Sequence, residues 1–142
     1  MNRLALCPEP VNGLLTVGAA FTPTSNIHDP ESTYSRYYWP STTGPTGYLA
    51  WIQLVAWLPN NDETTITINH AEFAHALGTS PARLTNALGR LIAFHLAYTI
   101  PAQPKTLFIK RRAPTLTAGQ LARLTKRCPT LAACHEQHQH AA

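Results

Sequence analysis

Acidic residues are scarce in this chain, and one long stretch has none. Of 142 residues, seven are acidic: Glu9, Asp29, Glu31, Asp62, Glu63, Glu72 and Glu136. From Phe73 to His135 there is no carboxylate side chain. The same stretch holds Arg83, Arg90, Lys105, Lys110, Arg111, Arg112, Arg123, Lys126 and Arg127, nine of the eleven basic residues. The whole chain carries +4, so the charge is concentrated there. Solvated surfaces ordinarily intersperse both signs. A one-sided basic segment favours polyanionic partners over acidic-residue chemistry.

Other absences narrow the class further. No apolar run approaches the roughly 20 residues that span a bilayer, so no membrane partner is expected. Leu14 to Ala20 is apolar and ends in small residues, but Pro8-Glu9-Pro10 precedes it and Arg3 is the only early positive charge, which argues against a secretion signal. The cysteines, Cys7, Cys128 and Cys134, are three in number and widely spaced. That usage fits a reducing cytoplasm. There is no Gly-rich phosphate loop and no Gly-x-Ser-x-Gly, and the adjacent pair Cys134-His135 would point apart on a helix. His70-Ala71-Glu72-Phe73-Ala74-His75 has one residue too many for the metalloprotease pattern. Cys128 and Cys134 are too far apart for a zinc knuckle, and His135, His138 and His140 sit in a tail without a scaffold. No enzyme activity, cofactor or metal is expected.

Six of the twelve prolines lie in the first 45 residues, and charges there are few, so residues 1–33 read as a poorly ordered arm. Tyr37-Tyr38-Trp39-Pro40 and Gly44-Pro45-Thr46 mark a turn into a helix over Gly47–Leu58, apolar around most of its girth and expected to be buried. Pro59-Asn60-Asn61-Asp62 stops it. Thr64 to Ile68 alternates Thr and Ile, a short strand.

Asn69 and Glu72 have the form of a capping box opening a helix to Leu77, and Gly78 suits the position just past its end. Ser80 suits the next N-cap, with Pro81 at the first helical position. The helix that follows runs to about Phe94. Leu84, Leu88, Leu91 and Ile92 form its inward stripe, and Arg83, Asn86 and Arg90 fall together on the other side. Leu96–Ile100 and Thr106–Lys110 read as strands joined by a loop over Pro101–Lys105. A short helix capped by Thr117 and a final helical stretch from Pro129 complete the chain.

Helix, strand, helix, tight turn, helix, strand, loop, strand is the order of a winged helix-turn-helix domain, and residues 37 to 112 resemble one. The expected fold class is α+β, mainly helical. Its parts are an arm at 1–33, a winged helix-turn-helix domain with a β-hairpin wing at 34–113, and a C-terminal helical extension at 114–142. A closer resemblance rests on Trp39-Pro40, Gly44-Pro45-Thr46, Arg111-Arg112 with Pro114 and Leu116, Gln120-Leu121-Ala122-Arg123-Leu124, and Arg90-Leu91-Ile92-Ala93-Phe94. These look like a family of small actinobacterial proteins, some of whose members are described as helix-turn-helix proteins. The likeness spans about Tyr34 to the C-terminus. It implies a fold and a broad class, and brings no catalytic residue or ligand.

In a helix-turn-helix the second helix enters the DNA major groove with its N-terminal part nearest the bases. Arg83 is then expected on guanine and Asn86 on adenine. Thr79, Ser80 and Thr85 suit phosphate contacts at the helix start, and Arg90 the backbone a turn further on. Lys105 is the charge at the wing tip, and Lys110, Arg111 and Arg112 could track phosphates. If about five phosphates are neutralised, log K should fall with log salt at a slope of roughly −4.5. The rival expectation is a non-enzymatic protein-interaction module. Trp39, Trp51, Trp57, Tyr34, Tyr37, Tyr38 and Tyr48 make the N-terminal half aromatic, which suits a core foremost and a homodimer face as the alternative.

Overall fold

Alternation with a period of two governs a segment whose prolines and low charge suggested an arm. Leu15, Val17 and Ala19 are buried, and they belong to a strand, β1 (Leu14–Ala19). The computed structural model describes residues 7–20, 28–59 and 64–141, with side chains to residue 135. The expectation of an arm over 1–33 is therefore corrected at 14–19, while residues 1–6 and 21–27 lie outside the described residues. Local composition hid the strand because its partners are remote. β1 runs antiparallel to β2 (Thr65–Asn69), with Leu15 opposite Ile68. On its other side it runs parallel to β4 (Gln103–Ile109), with Gly18 opposite Phe108. β3 (Ala97–Ile100) pairs with β4 at the edge, giving the order β2-β1-β4-β3. Gly18 is fitted to this sheet: a Cβ there would lie 2.9 Å from Cε1 of Phe108.

Six helices complete the described chain: α1 (Thr33–Thr43), α2 (Pro45–Trp57), α3 (His70–Ala76), α4 (Pro81–Ala93), α5 (Ala118–Arg127) and α6 (Pro129–Ala141). The fold is α+β, with a mixed four-stranded sheet. The turn expected around Tyr37–Thr46 is in fact α1 followed by a one-residue break. Ser32 caps α1 by accepting from the Ser35 amide at 3.1 Å, and the helix carries Pro40 in its interior. A proline there removes one backbone donor, yet the Pro40 carbonyl still accepts from Gly44 at 2.8 Å. Gly44, at φ 81°, ends α1 and starts α2. That left-handed conformation favours glycine.

The core joins Trp39, Trp51, Leu54, Phe73, Leu84, Leu88, Leu91, Leu107 and Ile109 in one cluster. Tyr34, Tyr38 and Tyr48 are buried with them. Within the aromatic set of the N-terminal half, Tyr37 and Trp57 are the exceptions, at 53% and 41% exposed. α2 is less enclosed than its composition suggested, since Leu49 is 50% exposed. The turn between β3 and β4 takes only Pro101 and Ala102, so the expected loop over 101–105 is shorter and Lys105 lies within β4. No described helix is long and apolar enough to cross a membrane.

Candidate nucleic-acid interface

Local hydrogen bonds fix the start of α4. Ser80 accepts from the Arg83 amide at 3.2 Å and Pro81 takes the first helical position. α3 ends in a turn at Leu77–Ser80, where Gly78 has φ 73°. α3 is capped by Asn69, which accepts from the Glu72 amide at 2.9 Å. α4 buries Leu84, Ala87, Leu88 and Leu91 and exposes Ala82, Arg83, Asn86 and Arg90. Among the described residues, no hydrogen bond or ion pair ties the Arg83 or Asn86 side chain.

The other expected contacts divide. Thr79 is half-buried and Ser80 is exposed at the helix start. The Thr85 hydroxyl is already engaged, 3.1 Å from the Pro81 carbonyl and 3.2 Å from His70 Nε2. Burial pushes the His70 pKa down, which favours a neutral ring beside that hydroxyl. Lys105 is exposed on β4, not at a loop tip.

Lys110, Arg111 and Arg112 are brought away from solvent or onto partners that the sequence did not suggest. Trp51 Nε1 donates to the Lys110 carbonyl at 2.7 Å, and burial lowers the Lys110 pKa. Arg111 donates to the Pro59 carbonyl. Arg112 Nε bonds Asp29 Oδ1 at 3.1 Å. This pair forms because His28 and Ala113 exchange backbone hydrogen bonds at 3.0 and 2.8 Å. Glu31 lines the same groove as Asp29, Arg111 and Arg112. The acid-free run along the sequence is thus not acid-free in space.

A second basic cluster has no acid among its described neighbours in the lining. Arg90 from α4 and Arg123 and Arg127 from α5 line a pocket of about 340 Å³. Its apolar lining is Ala93, Phe94 and Leu124, and Ser41, Thr42 and Gln120 complete it. Reading along the sequence missed Arg123 and Arg127 as site residues. Their spacing of four puts both on one face of α5, but only the docking of α5 beside α1 brings them to the pocket that Arg90 lines.

Among the described residues, the C-terminal histidine and cysteines form no metal-ligating group. His135 is buried, with Nε2 2.6 Å from the Tyr34 hydroxyl, while Cys128 is exposed. No group of three His, Cys, Asp or Glu among the described residues could hold a metal ion; the side chains of His138 and His140 lie outside them. Compared with known proteins, the chain matches no family model, no curated protein and no solved structure at a significant level.

Proposed function

We propose that this protein binds double-stranded DNA through α4 and acts as a non-enzymatic transcriptional regulator. In this reading α3, the turn at Leu77–Ser80 and α4 form a helix-turn-helix, and the β3–β4 hairpin is its wing. The observation that carries it is the pair Arg83 and Asn86, exposed near the start of α4 and without side-chain partners among the described residues. Arg83 can donate two hydrogen bonds to guanine O6 and N7, and Asn86 can pair with adenine N6 and N7. Thr79, Ser80 and the first amides of α4 suit phosphate oxygens, with Arg90 and Lys105 as further backbone contacts. In this reading Thr85, Arg111 and Arg112 contribute less, since the Thr85 hydroxyl and one guanidinium nitrogen of each arginine already have partners within the protein.

Selection of bound sequences from random duplexes tests the reading, repeated with Arg83→Ala. Loss of sequence preference with residual salt-dependent binding supports base reading by α4. An unchanged preference refutes it.

A second reading, a protein-binding or homodimerising module, is favoured by the exposure of Tyr37, Leu49 and Trp57. Solution mass and duplex binding measured on one sample separate the two. A monomer that ignores DNA at low salt leaves the partner-binding role.

A further inference from the structure

The pocket between α1, α4 and α5 collects three guanidinium groups and, among the described residues, no carboxylate. Arg90 and Arg127 each lie in the last turn of their helix, where a cation is favoured by the helix dipole. That accounts for them singly. It does not account for Arg123, in the body of α5, beside both of them over an apolar floor. Gly44 makes room for the arrangement: a Cβ at this position would lie 2.8 Å from Nη1 of Arg90. Among the described residues no ion pair involves Arg90, Arg123 or Arg127. Like charges gathered without a counter-charge repel one another, and a bound anion relieves that repulsion.

We propose that this pocket is a binding site for a small organic anion, with one phosphate or carboxylate head and a compact apolar body. The head is held by Arg90, Arg123 and Arg127, whose planar forks match the oxygens of such groups. The body rests on Phe94 and Leu124. A flat run of phosphates needs only exposed cations, whereas a concave site with a few convergent polar groups and apolar lining is the form of a small-molecule pocket. Its volume, about 340 Å³, falls at the small end of the roughly 300–1,000 Å³ range for such sites. The site excludes Arg83 and Asn86 and shares only Arg90 with the proposed duplex surface, so the inference stands whether or not α4 binds a duplex.

Phenyl phosphate is the probe, titrated into the full chain without DNA and followed by calorimetry and amide chemical shifts. Saturable binding is expected, tighter than that of inorganic phosphate, with shifts concentrated around Phe94 and α5. In the double variant Arg123→Gln/Arg127→Gln the affinity should fall by about tenfold or more, the loss expected for two charge-assisted hydrogen bonds. Both side chains are exposed, so the variant should keep the wild-type melting curve. Arg111→Gln/Arg112→Gln should bind the probe like the wild type. Absence of saturable binding overturns the proposal, as does retained binding in the α5 double variant or equal loss in the Arg111/Arg112 variant. Inorganic phosphate binding as tightly as the probe overturns the role of the apolar floor. A short duplex shifting the α5 arginines when phenyl phosphate does not would assign them to the DNA backbone instead.

Discussion

Two arginine clusters in this molecule come from the same acid-free stretch of sequence and end in opposite surroundings. Arg111 and Arg112 face Asp29 and Glu31 across a groove beside α2, and one guanidinium nitrogen of each is engaged, by the Pro59 carbonyl and by Asp29. Arg90, Arg123 and Arg127 share a pocket with no acid among its described lining residues. Charge counted along a chain therefore gives the supply of cations, and the fold decides which remain available to a ligand. Here the deciding contact is remote: His28 pairs with Ala113 and delivers Asp29 to Arg112.

The largest expected effect comes from loosening the first cluster's support. Trp51→Ala removes a fully buried side chain and the donor to the Lys110 carbonyl, and should destabilise the fold by about 3–5 kcal/mol. Denaturant unfolding measures it, and a loss below about 1 kcal/mol would contradict the packing described. Next is Tyr34→Phe. The Tyr34 hydroxyl accepts from the Leu116 amide at 2.9 Å and bonds His135 at 2.6 Å. Removing it leaves buried polar groups without that partner and should cost about 2 kcal/mol or more. The same denaturation experiment reads this loss.

A pH series sharpens the comparison from another side. His28 stacks on Tyr34 with ring centroids 3.8 Å apart, and its pKa is lowered from 6.5 by burial first and by His135 second. His70 is lowered by burial. Both bases are harder to protonate in the folded chain, so below pH 6.5 the unfolded chain binds more protons. Stability should be fully present above that pH and decline as pH falls through the window beneath it. Thermal melts between neutral and mildly acidic pH check the sign, and His28→Gln should flatten part of the slope. The smallest effect is expected from Asp29→Asn. Its ion pair with Arg112 is exposed, the side chains being 57% and 67% accessible, so stability should change by less than about 1 kcal/mol. The Arg112 side of the groove should then accept phosphate more readily, making the first cluster behave more like the second. Anion titration followed by chemical shift measures that change.

The elements that could be read from sequence are those whose signals are local. Asn69, Ser80-Pro81 and Thr117 with Gln120 announce the starts of α3, α4 and α5, and each side chain caps the helix that follows it. The polar face of α4 was legible for the same reason, since Arg83, Asn86 and Arg90 repeat at helical spacing. β1 was not, because its alternation is short, proline-flanked and meaningful only beside β2 and β4. Pro40 concealed α1, a helix that tolerates it within its interior. Lys105 changed place because the hairpin turn is tighter than its two prolines suggested. The pocket depends on three helices meeting, and no spacing within one of them announces it.

The most direct test of α4 as the reading element is duplex binding by fluorescence anisotropy across a salt series. The duplex is a selected one, and the proteins are wild type, Arg83→Ala/Asn86→Ala and Arg111→Gln/Arg112→Gln. Wild-type affinity should fall steeply with salt, by roughly 0.9 in the log–log slope per phosphate contacted. The α4 variant is expected to lose its preference for the selected sequence while keeping salt-dependent binding, and the Arg111/Arg112 variant to resemble the wild type in both. A wild-type protein that binds no duplex at low salt would contradict the account, and so would an α4 variant with undiminished preference.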